Sequence, residues 1–196
     1  MRRVDQELFN AVEQGSLLKI ERCLRMGANI LAKNSHHTVL HSAVHSDNGE
    51  VVKLVLDKIK KIQGNISPYI DAKDTEGDTP LMWTAESSYV SAARILLDYG
   101  ANVEEKNNNG MTALHWAAKK NHIEILKLLI NKGANVNAQD NHGQTPSDYA
   151  REEGHGEIVG YLAFSVAEMF KEEGKYNKAW GKPIKKHLIF KKLFRP

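Results

Sequence analysis

Three aromatic residues of this chain recur at one interval. Trp83, Trp116 and Tyr149 follow one another in steps of 33 residues, and Glu86 stands three positions after the first. Aromatic rings held at a surface are typical anchors for a partner protein. Ring faces beside a carboxylate also attract an ammonium, a methylated one included. The bland alternative is that the indoles only shield an apolar core. Nine histidines are the next candidates. His41 and His45, four apart, have the spacing of two metal ligands on one helix. No third ligand stands near them, so no metal is expected. Phosphate loop, G-x-G-x-x-G and H-E-x-x-H are all missing from the sequence. No Ser/His/Asp or Cys/His set stands out, so neither catalysis nor a cofactor is expected. The single cysteine, Cys23, excludes an internal disulfide and a thiolate cage, and its place on an apolar face makes it a small core residue.

The elements that must position these residues are repeats. Asn107 to Gln139 and the stretch before it, Asp74 to Lys106, have equal length and share their punctuation. Gly77 matches Gly110, Thr79 matches Thr112, Leu81 matches Leu114, and Gly100-Ala101-Asn102-Val103 matches Gly133-Ala134-Asn135-Val136. A fixed period near 33 signals stacked units, each a turn and two helices. Thr79 and Thr112 supply N-cap hydroxyls, and Pro80 occupies the first helical position, where its missing N–H costs nothing. The first helices are expected at about 80–87 and 113–120. The turn after each first helix needs positive φ, and Asp47, Ser88, Asn121 and Gly154 stand there. Ile95-Leu96-Leu97 and Ile125, Leu126, Leu128 and Leu129 give the second helices their apolar faces.

The unit resembles the ankyrin repeat. Thr112-Ala113-Leu114-His115-Trp116-Ala117-Ala118 lies close to that family's T-P-L-H-x-A-A signature. The resemblance implies an all-α solenoid of five repeats with capping ends. The units are 4–33 (N-terminal cap), 34–73, 74–106, 107–139 and 140–170 (C-terminal cap). The second carries eight extra residues within Lys58 to Tyr69, where Ile59 and Ile62 prolong the second helix, Gly64-Asn65 stops it and Ser67-Pro68 forces an extended return. The family also gives His41 and His115 a structural role, bonding turn backbone.

The aligned repeats produce columns on the side that stacking makes concave. The residue before the helix-starting threonine is His37, Asp78, Met111 or Gln144; the next column is Ser42, Trp83, Trp116 and Tyr149, and the third is His45, Glu86, Lys119 and Glu152. The expected function is therefore recognition of another protein or peptide by Trp83, Glu86, Met111, Trp116, Lys119 and Tyr149, with a monomer and no direct nucleic-acid binding. Trp83, Glu86 and Trp116 are further similar to the cage of the ankyrin domains of euchromatic histone lysine methyltransferases. That likeness implies methyl-lysine recognition, although Asp78 stands where those domains carry a third tryptophan. Leu129 to Asn137 resembles the sites of the asparaginyl hydroxylase that acts on ankyrin repeats, with Asn137 as acceptor.

Composition adds a second kind of surface. Residues 171–196 hold nine Lys/Arg and two Asp/Glu, so this tail carries +7 and the rest of the +3 chain −4. Within it, residues 184–195 read as a basic amphipathic segment suited to an anionic membrane or an acidic partner. No eighteen-residue apolar run exists, and MRRVDQELFN lacks the apolar core of a signal peptide. The expected setting is a reducing intracellular one. Cytoplasm, nucleus and delivery by a bacterium into a host cytosol all fit the family.

Overall fold

The structure, a computed structural model, describes residues 1–172. The basic segment at 184–195 lies outside the described residues. Eleven helices occur among those described: α1 (Arg3–Glu13), α2 (Leu17–Arg25), α3 (Val39–His45), α4 (Gly49–Gln63), α5 (Ser67–Ile70), α6 (Pro80–Ser87), α7 (Val90–Asp98), α8 (Ala113–Lys119), α9 (Ile123–Asn131), α10 (Pro146–Glu152) and α11 (Gly156–Glu172). They pair into a helical solenoid, as the repeats imply. The first helices α1, α3, α6, α8 and α10 touch in sequence, and α4, α7 and α9 do likewise behind them.

The core lies between these two rows. Leu8, Leu40, Leu81 and Leu114 enter it from the first helices, and Leu56, Leu96, Leu126 and Ile158 from the second. Where first helices pack on one another the side chain is small: Ala43, Thr84, Ala117 and Ala150 share one register, all fully buried. A larger group there would force the helices apart in an interior already at crystal-like density.

Turn chemistry explains where the helices start. Asp74 Oδ1 accepts from Glu76 N and Asp78 N, both at 2.8 Å; Asn34, Asn107 and Asp140 hold their own loops the same way. The residue three places after each threonine then caps the helix in return. In His41 the Nε2–H donates to the carbonyl of Asp78 at 3.1 Å, because a carbonyl can only accept; Nδ1 receives Thr38 N at 3.4 Å. His115 repeats this with Thr112 N at 3.0 Å and the Gln144 carbonyl at 3.2 Å. Met82 offers Thr79 N only a sulfur at 3.5 Å, and Asp148 offers Thr145 N an oxygen at 3.0 Å. Asp47, Ser88 and Asn121 take φ of 47°, 65° and 63°, and Gly154 75°, as the turns require.

Neighbouring hairpins are stitched by repeated bonds. Thr75 N donates to His36 O, Asn108 N to Glu76 O and Asn141 N to Asn109 O, at 3.0–3.1 Å. A lysine ladder runs beside them: Lys33 Nζ reaches Lys73 O, Lys73 Nζ reaches Lys106 O, and Lys106 Nζ reaches Gln139 O. His122 and His155 add ring bonds to the carbonyls of Ala85 and Lys119. Gly77 and Gly110 sit at these seams with φ of 80° and 77°. A Cβ at either would stand 2.7 Å from the backbone nitrogen of Asn108 or Asn141.

The extra residues of the second unit differ in part from expectation. α4 has 15 residues where α7 and α9 have 9, and Gly64 ends it at φ 70°. Ser67-Pro68 does not make an extended return. It opens the one-turn helix α5, where proline in the first turn forfeits no hydrogen bond and Asn65 Oδ1 accepts from Ser67 N. No helix among the described residues is long and apolar enough to cross a membrane.

Candidate interaction groove

Trp83, Trp116 and Tyr149 project from α6, α8 and α10 at one register and are half-buried. Each is tied down by its polar atom. Trp83 Nε1 donates to Asp74 Oδ2 at 2.9 Å, and Tyr149 donates its hydroxyl to Asp140 Oδ2 at 2.8 Å. Burial and that carboxylate push the Tyr149 phenol up to about 12, so it remains a donor. In both cases the aspartate holds its loop with one oxygen and the ring with the other.

The middle unit is wired differently because residue 107 is an asparagine. Its Oδ1 is occupied by Asn109 N and Met111 N, and its other terminal atom is a donor. Asn107 Nδ2 therefore donates to Asp78 Oδ1 at 2.8 Å, and Trp116 Nε1 donates to the same oxygen at 3.2 Å. Asp78, only 5% exposed, supplies the acceptor that Asn107 cannot. Burial raises its pKa even against these two donors. The residue that departs from the methyl-lysine cage pattern is thus the clamp of Trp116.

Cations already lie on the rings. Lys119 Nζ is 5.8 Å from the Trp116 ring centre and 5.3 Å from that of Tyr149. Lys120 Nζ is 5.9 Å from Trp116 and forms an ion pair with Glu86 Oε1 at 3.6 Å. Trp83 leans the other way, its ring 5.0 Å from His41 and 5.3 Å from His37. Of the six residues singled out for binding, Met111 is a correction. It is 4% exposed, with its amide donating to Asn107 Oδ1 in the loop, so it offers almost no contact surface. Asn137 is exposed in the turn after α9, its amide donating to Asn135 Oδ1.

Residue types alone did not mark Asp74, Asp78, Asn107, Asp140 or Lys120. The recurrence of Asp nine positions before an aromatic (74 to 83, 140 to 149) is the signal that would have found two of the clamps, and the asparagine at 107 the sign that the third is supplied from elsewhere. A serine, a histidine and an acid also meet at the second unit. Ser42 Oγ donates to Glu13 Oε1 at 3.1 Å and lies 2.9 Å from His37 Nε2. The acid holds the hydroxyl rather than the imidazole, and Ser42 is 1% exposed, so this is a structural link between units. His41 and His45 do not converge: the first is buried with both ring nitrogens engaged, and the second is exposed against Tyr89.

Two comparisons with known proteins bear on this surface. A family model described as ankyrin repeats (3 copies) matches residues 8–107 and 101–172. Diacylglycerol kinase iota of Homo sapiens is 30% identical over 103 residues, which is 52% of this chain and 9% of the kinase. The Rattus norvegicus protein of the same name is 29% identical over the same length. The chain therefore spans less than a tenth of the length of these relatives.

Proposed function

The chain belongs to the ankyrin-repeat family, and from that premise we propose that it is a non-catalytic recognition module that binds a partner protein or peptide on its first-helix face. Ankyrin repeats bind other proteins. The observation that carries the reading is the row of Trp83, Trp116 and Tyr149, three partly exposed rings in line, each fixed by an aspartate. Rings held in place before binding lose little freedom on contact, which favours them as anchors. Glu86 and Lys119 border the row and give it polar discrimination. The stretch shared with the kinases is 9% of those proteins, so no catalytic activity is carried across.

Affinity capture compares the full chain with a Trp83→Ala/Trp116→Ala variant whose helicity is checked by circular dichroism. A partner retained by the first and lost by the second supports the face. If every partner survives the double substitution, recognition lies elsewhere. A methyl-lysine ligand would have to displace Lys120 from Glu86 and from the Trp116 ring. Titration with dimethyl-lysine and unmodified histone-tail peptides tests that narrower reading, and equal affinities end it.

A further inference from the structure

We propose that the second-helix side of the first two units, made by α2 and α4, docks on an anionic membrane surface. Neighbouring second helices are joined by one repeated rung. Tyr99 donates its hydroxyl to Asp57 Oδ1 at 2.6 Å, and Lys132 Nζ meets Asp98 Oδ1 at 2.8 Å. Each donor stands ten residues after the N-cap of its helix (Tyr89, His122), and each acid nine after its own (Asn48, Tyr89). The same offsets on α4 and α2, counted from Asn48 and Ser16, give Lys58 and Arg25. Two cations thus occupy the places of donor and acceptor. Neither forms an ion pair among the described residues.

The charge around them does not cancel. α2 and α4 hold seven Lys/Arg and three Asp/Glu, a net +4, while the rest of residues 1–172 holds twelve and twenty, a net −8. Apolar side chains gather at the same place. Leu18, Met26 and Ile62 are 76%, 58% and 62% exposed, and the other exposed large hydrophobics among the described residues, Met1 and Leu17, also belong to the first unit. Leu18, Arg22, Arg25 and Met26 fall within about 100° of arc on α2, and Lys58, Lys61 and Ile62 do so on α4. The extra length of α4 is what carries Lys61 and Ile62. Cations mixed with apolar groups on one exposed face suit a headgroup layer. Lipid phosphates and carboxylates neutralise the first, and the acyl boundary takes the second. A soluble acidic peptide would answer the charges alone and leave Leu18, Met26 and Ile62 in water. The ring row lies on the first helices, so docking here leaves the groove open to a partner.

The test is co-sedimentation with vesicles of phosphatidylcholine alone or with about one third phosphatidylserine. The full chain is used with Lys185→Gln, Lys186→Gln, Lys191→Gln and Lys192→Gln in every sample, so that the basic tail does not mask the surface. Sedimentation with the anionic vesicles only is expected. Arg25→Gln/Lys58→Gln should weaken it about tenfold or more. Leu18→Ser/Ile62→Ser should weaken it too, while leaving binding of the soluble polyanion inositol hexakisphosphate unchanged. Arg94→Gln/Lys127→Gln, on α7 and α9, is the control and should change little. Arg25→Asp separates docking from folding: it completes the rung with Lys58, so the urea midpoint should hold or rise while sedimentation falls. No sedimentation with anionic vesicles, equal sedimentation with neutral ones, or an equal loss in the control overturns the proposal. Unchanged sedimentation of Leu18→Ser/Ile62→Ser overturns it in favour of a soluble-anion site, and a urea midpoint lowered by Arg25→Asp removes the facing of Arg25 and Lys58 on which it rests.

Discussion

At residue 107 an amide stands where residues 74 and 140 carry carboxylates, and one exchanged atom reroutes a hydrogen bond across a repeat seam. Asn107→Asp should set two buried carboxylates against each other and lose the Asn107–Asp78 bond. The expected cost is about 2–4 kcal/mol at pH 7 by urea unfolding. Adding Asp78→Asn should recover at least half of it, because the carboxylate introduced at position 107 could then hold Trp116 as Asp74 holds Trp83; no recovery would refute the wiring. His41 makes a second prediction. Burial lowers its pKa to about 4, since a proton on Nδ1 would confront the Thr38 N–H. The folded pKa lies below the unfolded value near 6.5, so the unfolded chain binds the proton first and stability falls as pH drops from about 6.5 to 4. The loss is about 3 kcal/mol over that window. His41→Gln should flatten the curve by that amount, and parallel curves would refute the assignment. These linkages were only half legible in the sequence. The period put Trp83, Trp116 and Met111 on or just before the first helix of each unit, yet depth depends on tertiary contacts that a single repeat does not display. Met111 is buried, which its residue type and column alone did not reveal.

Elements show the opposite balance. The helix starts at Thr79, Thr112 and Thr145 and the left-handed turns at Asp47, Ser88 and Asn121 were readable, because each is set within a few residues of its own sequence. α5 was not, since Ser67-Pro68 suits both an extended return and a helical first turn, and contacts decide between them. The hairpin glycines allow a test of what a seam demands. Gly77 and Gly143 both have φ 80°, but only Gly77 faces the next hairpin, whereas Gly143 has open space around its missing Cβ. Gly143→Ala should cost about 1 kcal/mol, the backbone share alone. Gly77→Ala should cost at least about 3 kcal/mol, as the clash with Asn108 is added. Equal urea midpoints for the two variants would show that the seam relaxes freely.

The whole molecule is a line of neighbours: α1 on α3, α3 on α6, α6 on α8, α8 on α10. Stability in such a stack is a sum of units and the interfaces between them, so the ends open first. Amide hydrogen exchange should be slowest in α6 to α9 and at least about tenfold faster in α1–α2 and α10–α11. Uniform protection would mean that the described units unfold as one block. The order of the units was plain from the 33-residue period, because each seam reuses the same residues. The aspartate clamps and the lysines on the rings join side chains from different positions in that period, and single columns do not display them. The seams carry one more implication. The Gly110–Asn141 socket copies the Gly77–Asn108 socket, and the Lys106–Gln139 rung copies the Lys73–Lys106 rung. A tandem duplication of residues 107–139 would repeat the glycine socket and the lysine rung, but its second copy would meet Met111 where Asn107 and Trp116 now meet Asp78. Unequal recombination inside that stretch would therefore lengthen the row of rings readily, while each added indole would need a new acid before the threonine of the preceding unit to hold it, so inherited length and inherited ring order are separate traits of this architecture.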